Sequence, residues 1–559
     1  MKKFLSLALA LIMVLTMVSM MLVACNDPED PADNPGEQPG DTPSDPNKPE
    51  DPNKPEDPNK PEDPNNPTCE DGHTDANRDG KCDACGTEIE VVRIPLEFPE
   101  ESYDFSDSDG KGQYHILQWS VDQQNEPGTD WIPWEEGAVE MDDGDLISKA
   151  ILERNALAEE QFGVDITAEY VGVNNGYVSR VLQDFNAGSD EFQLLTIRSL
   201  EAWQLVSDGL LLDMNVYADE GILHTDQPWW VPDAVESYTL GKTLFVCATE
   251  MLLRDKGATT AMYFNPVIAE NYELDDFYQM VDDHTWTYDA MIEAAETVAH
   301  SEDGDELMNS VQDLWGVFGS DDDTHMLFNA FGFSYAHIDE DGYIVYNLNE
   351  DIYEGEDINA LISIHEDFHY MDWNTNSIDN ELNGSENMKD LFASDRALFK
   401  TASLVKTAVT KLRSMETDYG ILPMPLYDED QENYSSLVWV HHDCVLGIPS
   451  GTADPIKSAV ILESLSWEGY YSVTPVLYET ILYNRAAKTA EAKASLQLIF
   501  ATRSYDPGQY WDKPGGLQNE LLRLCNTGNS DIASLIAKHI DKTKEELEKV
   551  NAFVNETYE

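Results

Sequence analysis

After Gln113 short apolar strands alternate with helices, and this alternation restricts the chain to few architectures. Residues 114–119 read as a first strand. Residues 145–162 read as a helix with Leu146, Ala150, Leu157 and Phe162 near one face, and 163–166 open a second strand. Residues 178–186 form a helix with Val178, Val181, Leu182 and Phe185 inward, and 192–197 a third strand. Strands joined through helices by short connections predict a parallel sheet covered by helices, because a parallel pair needs a crossover. Ligands of such sheets sit at the carboxyl ends of the strands, where loops and helix N-termini meet.

Charge narrows the partners. The 559 residues carry 33 Lys and Arg against 108 Asp and Glu, a formal charge of −75. A polyanion would be repelled, which excludes a nucleic-acid role. The 42% of hydrophobic residues suffices for large cores, and the length predicts two or more folded units. Seven cysteines are too few for a disulfide scaffold.

The start of the chain is built differently. Residues 1–24 read as an export signal, with Lys2 and Lys3 before a long apolar run. The run ends in Leu22, Val23, Ala24 and Cys25, which resembles the lipobox of bacterial lipoproteins. That resemblance implies cleavage before Cys25, lipidation there, and a mature protein held on the extracytoplasmic face of the cell membrane. Residues 25–68 make a stalk rich in Pro, Asp and Glu. From residue 43 to residue 67 every third residue is proline, which matches the turn of polyproline II. Such a segment cannot bury a core; it is disordered but extended, a spacer on the order of 100 Å at ~3.1 Å per residue. Residues 69–86 form a small module in which two chemistries overlap. Cys69, His73, Cys82 and Cys85 have a spacing that suits zinc. Asp75, Asn77, Asp79 and Gly80 copy the first half of a calcium loop, but Gly86 stands where its bidentate Glu belongs. A disulfide between two of the cysteines is the third reading. In each case the module is a local staple, and the main function needs no cofactor.

From residue 113 to 559 the chain resembles the family 1 extracellular solute-binding proteins of ABC transporters, the group that includes sugar-binding lipoproteins. The likeness is carried, in the family's order, by ILERNALAEEQFGVDI at 151–166, Ala202 and Trp203 before GLLLDM at 209–214, and GKTLF at 241–245. AMYFN at 261–265, TWTYD at 285–289, FASDRALF at 392–399 and DYGILPMP at 418–425 continue it. RSYD at 503–506 and GNSDIAS at 528–534 are similar to one branch of that family. The resemblance implies an α/β, two-lobed periplasmic-binding-protein-like fold with crossing hinge strands. It assigns 113–250 and 400–450 to lobe 1 and 255–398 and 455–559 to lobe 2, with crossings near 245–260, 398–403 and 446–454. It also implies a carbohydrate ligand in the cleft, hinge closure around it, and ABC permease subunits as partners.

No catalytic residue is expected. His365, Glu366 and His369 form a literal H-E-x-x-H, the zinc pattern of metalloproteases. No third ligand follows, however, and Asp367 puts a charge inside the motif, so these residues read as a solvent-facing helix. Among 108 acids any pair can be nominated as a glycosidase dyad, and neither a nucleophile elbow nor a P-loop is present. For sugar binding, aromatic faces and planar polar groups are needed. Trp203, Trp229, Trp230, Trp439 and Trp511 are candidate platforms, and Glu250, Arg254, His441, His442 and Asp443 are candidate polar partners. A surface glycan or peptide receptor without a permease, or a secreted hydrolase, remains the alternative.

Overall fold

The computed structural model describes residues 89, 91–100, 102–108, 110–120, 146–172, 176–302, 313–319, 323–347, 390–405, 412, 415–483, 489–511 and 532–558. The strands of the first half are β1 (Gly112–Ser120), β2 (Val164–Gly172), β3 (Leu194–Arg198), β4 (Thr260–Phe264), β5 (Trp315–Phe318), β6 (Ala336–Ile338) and β7 (Ile344–Tyr346). Those of the second are β8 (Ala397–Leu404), β9 (Gly420–Leu422), β10 (Ser436–Leu437), β11 (Cys444–Gly447) and β12 (Arg503–Ser504).

Two four-stranded sheets organise the body. The first has the order β11-β3-β1-β2; β1 runs parallel to β2 and β3, and β11 is antiparallel to β3. The second has the order β5-β8-β4-β9, with β5 and β8 parallel and β4 antiparallel to both β8 and β9. The expected parallel pairing of the first three strands is therefore present. All four residues of β5 and of β11 are buried, as in strands covered on both faces.

The helix faces differ from the periodicity reading. In Leu146–Phe162 the buried residues include Ile147, Ile151, Arg154, Ala158 and Phe162, whereas Leu146 and Leu157 are 60% and 52% exposed. This helix packs on Pro455–Glu468 and Thr474–Tyr483 as well as on β2, and these neighbours rotate the covered face away from Leu146. In Tyr177–Ala187 the helix buries Tyr177, Val181 and Asp184 and leaves Phe185 44% exposed. Asp184 is inward because its carboxylate accepts hydrogen bonds from the Ser189 hydroxyl and the Glu191 N–H.

The chain passes between the two sheets more than once. Near 245–260, Cys247 bridges Leu446 beside the first sheet, and Thr260 begins β4 in the second. β8 and β9 both pair with β4, β10 pairs with β12, and β11 pairs with β3 in the first sheet. Beyond β11, Pro455–Glu468 packs on Leu146–Phe162, and Tyr114 Oη donates to the Ser458 carbonyl at 3.2 Å, which keeps this helix with the first sheet. Ala490–Ala501 then packs on β9.

Candidate functional site

The strand ends of the first sheet assemble a polar, aromatic site. β1 carries Trp119 one residue before its end, and β3 ends at Arg198, which leads directly into the helix Ser199–Ser207. Because β11 pairs Cys444 with Arg198, the preceding segment 439–443 lies beside the same end. It turns tightly there: the Trp439 carbonyl accepts from the N–H groups of His442 at 2.9 Å and Asp443 at 3.1 Å. Ser199 locks the turn by donating its hydroxyl to Asp443 Oδ2 at 2.8 Å and its N–H to the Asp443 carbonyl at 3.3 Å.

The electrostatics follow from burial. Asp443 is fully buried; desolvation, then the charge of Asp255, push its carboxyl up to about 8, so it is largely protonated at neutral pH. Its Oδ1 has no hydrogen-bond partner among the described residues. Half-buried His441 is pushed the other way, down to about 4, by desolvation and the Arg198 charge. Its Nδ1 lies 3.4 Å from a terminal guanidinium nitrogen of Arg198. A guanidinium only donates, so Nδ1 accepts and the ring proton sits on Nε2. The guanidinium carbons of Arg198 and Arg254 lie 5.5 and 5.3 Å from the Trp119 ring centroid, both within cation–π range.

Behind this lies an aromatic cluster. Tyr238 ends the helix Pro232–Tyr238, and Tyr505, Tyr510 and Trp511 follow β12. Tyr238 is 4.6 Å from Tyr510, 5.9 Å from Tyr505 and 6.3 Å from Trp511, centroid to centroid. All four are buried, and Tyr505 Oη and Trp511 Nε1 have no hydrogen-bond partner among the described residues. The hydroxyls of Tyr238, Tyr505 and Tyr510 lie close enough to Asp443 that its ionised form would disfavour theirs. Buried polar atoms without partners are rare in folded proteins, and here Asp443, Tyr505 and Trp511 supply three in one neighbourhood. Flat rings with spare donors and acceptors suit a ligand that has both apolar C–H faces and hydroxyls.

The sequence candidates divide over this geometry. Arg254, His441, Asp443 and Trp511 join it, and half-buried Trp203 meets Trp511 edge to face at 5.8 Å. Trp439 is 1% exposed, stacked on His325 at 5.4 Å and 4.9 Å from His441, so it supports the site from behind. His442 is half-buried in the same turn. Trp229 and Trp230 are elsewhere in the core, both donating to the buried Glu463. Glu250 is buried, 3.3 Å from Lys256, and its Oε2 accepts from the Thr474 hydroxyl. Lys256 and Arg503 both pair with Asp255 as well, which closes a buried network beside the first crossing. Trp119, Arg198, Tyr238, Tyr505 and Tyr510 escaped the sequence reading. The strand-end rule would have pointed to Trp119 and Arg198, since Trp119 closes the first predicted strand and Arg198 directly follows the third.

Cys25, the stalk, the module of Cys69, His73, Cys82 and Cys85, and the H-E-x-x-H string lie outside the described residues. Among the described residues no three His, Cys, Asp or Glu side chains group as metal ligands, and no helix is long and apolar enough to cross a membrane.

No protein-family profile and no curated protein matches the chain. Solved structures do. It is similar to a sugar transporter protein from Rhizobium etli in an open conformation, at 12% identity over 79% of this chain and 99% of that one, with a TM-score of 0.49. It is similar to the ABC transporter associated binding protein of B. animalis subsp. lactis in complex with beta-1,6-galactobiose, at 13% identity over 78% and 98% of the two chains, TM-score 0.48. A family 1 extracellular solute-binding protein from Bifidobacterium longum subsp. infantis matches at 13% identity over 78% and 100%, TM-score 0.46. The likeness is one of fold.

Proposed function

We propose that this chain is a lipid-anchored, extracytoplasmic binding protein that captures a carbohydrate and delivers it to the permease subunits of an ABC importer, without catalysing a reaction. One observation carries the reading: at the ends of β1 and β3, aromatic faces converge with buried polar atoms that have no partner among the described residues, Asp443 Oδ1, Tyr505 Oη and Trp511 Nε1. Sugars offer the complementary surface, an apolar C–H face and a rim of hydroxyls. Two sheets exchanged by crossing segments supply a hinge. The lipobox-like Leu22–Cys25 stretch supports anchoring through Cys25, and the order of family motifs from 151 to 534 supports the importer. The order of lobes is proposed as 113–250, 444–468 with the first sheet and 260–422, 490–501 with the second.

A thermal-shift screen of the purified protein against mono- and oligosaccharides tests the binding reading. A saturable rise in melting temperature with one sugar series is expected, and none with peptides. Turnover of any polysaccharide would replace this reading by a hydrolase. The anchor is tested separately: Cys25→Ala should release the protein into the medium or leave its leader uncut.

A further inference from the structure

Several described arginines of this acidic chain pair with acids. Arg180 pairs with Glu169 at 2.9 Å and with Glu191 at 2.7 Å, Arg93 with Glu468 at 2.8 Å, and Arg503 with Asp255. Arg198 departs from this pattern. It makes no ion pair with a described carboxylate; Glu201, in the next helical turn, is felt only at longer range. Its guanidinium is held against the Trp119 ring and the Nδ1 of His441, a histidine that burial keeps neutral. Its Nε is buried without a hydrogen-bond partner. Half-burying a cation with no described carboxylate at ion-pair distance is costly. That cost falls if an anionic group comes to Arg198.

The surroundings favour an anion at that point. Arg198 stands at the carboxyl end of β3 and immediately before the nine-residue helix Ser199–Ser207, whose positive end lies toward it. Asp443, the acid nearest this turn, is tied to Ser199 and kept protonated by its burial, so it does not supply the missing charge. A guanidinium is planar and presents its N–H donors as a fork, which matches the two oxygens of a carboxylate.

We infer that the solute contains an acidic sugar, a uronic acid unit, whose carboxylate is received by Arg198 with Arg254 beside it. This rests on the carbohydrate reading above and narrows it. Neutral sugars would leave the Arg198 charge uncompensated. The ligand therefore brings its own charge to a protein whose overall field opposes it, and the site selects against uncharged analogues.

The test is a matched panel. Glucuronate, galacturonate and mannuronate, as mono- and disaccharides, are titrated calorimetrically into the purified protein beside their neutral parents. One acidic member should bind at least about tenfold more tightly than its parent, equivalent to ~1.4 kcal/mol. Arg198→Gln should erase most of that ratio, and Arg198→Lys, which keeps the charge and guards against misfolding, should retain part of it. A neutral parent that binds as tightly as its uronate, or a ratio unchanged in Arg198→Gln, overturns the inference and leaves the carbohydrate reading standing. Preference for a phosphorylated or sulfated sugar over every uronate overturns the carboxylate assignment. If nothing in either series binds, the carbohydrate reading falls and this one with it.

Discussion

Trp230 donates its indole N–H to Oε2 of Glu463 at 2.8 Å, across 233 residues of sequence. Trp229 donates to Oε1 of the same carboxylate at 2.6 Å, and His224 Nδ1 stands 2.8 Å from it. Glu463 is wholly buried in the helix Pro455–Glu468, and a carboxylate is tolerated there only because its oxygens are engaged. The tryptophan pair therefore fastens that helix to the first sheet. Glu463→Ala should destabilise the fold by about 3–5 kcal/mol, the range for removing one partner of a buried pair. Urea unfolding measures it, with sugar affinity of the folded fraction retained.

His224 makes this fastening sensitive to pH. Its hydrogen bond to Glu463 raises its pKa above the ordinary value of 6.5. A raised histidine contributes stability that is fully present below the unfolded value and is lost as pH rises through the folded one. Melting temperature should fall over the interval above pH 6.5 in the parent and less so in His224→Gln.

Asp443 adds a second pH dependence at lower pH. Its folded value of about 8 lies far above the ordinary carboxyl value of 3.8, so the folded state holds a proton that the unfolded state releases. Stability is greatest below the unfolded value, declines as pH climbs toward the folded one and is flat above it. Asp443→Asn removes this ionisation while retaining an acceptor for Ser199. The loss of melting temperature between acid and neutral pH should shrink in the variant.

Trp439→Ala removes a buried indole stacked on His325, and the cavity and lost transfer energy should cost about 3–5 kcal/mol. Trp439→Phe keeps a ring in place and should recover most of that stability. A loss of sugar affinity in the alanine variant should then track displacement of His441, visible as recovery in the phenylalanine variant.

Gly469→Ala probes close packing at the second half of the hinge region. A Cβ there would stand 2.3 Å from the Glu250 carbonyl oxygen, so one of the two backbones must move. Overpacking of this kind costs about 1–3 kcal/mol. Because Glu250 also meets Lys256 and Arg503, calorimetric unfolding should show the loss without any change in the aromatic cluster.

The first sheet was legible because its short strands alternate with amphipathic helices, a local pattern. The sheet that each later strand joins was not. Which sheet β8, β9 and β11 join is decided by long-range pairing, and nothing local in Gly420–Leu422 distinguishes one sheet from the other. The candidate site was half legible. Trp439, His441 and Asp443 were nominated because a crossing was expected beside them. Trp229 and Trp230 were attractive for their chemistry alone, and only the remote Glu463 reveals their structural role. Tyr238, Tyr505 and Tyr510 come from segments with no common pattern, and their meeting is a product of the fold.

The antiparallel seam between β3 and β11 sets an order on biosynthesis. Ser199 and Asp443, which hydrogen-bond at that seam, are 244 residues apart, and at about 5–20 residues per second the second partner emerges on the order of tens of seconds after the first. Until then β3 is an open sheet edge with its N–H and C=O groups available to any other strand. A nascent chain that stalls before residue 444 carries that exposed edge permanently. Prematurely terminated products of this gene should therefore be the ones that aggregate, and they should burden whatever chaperones guard the chain before it is complete.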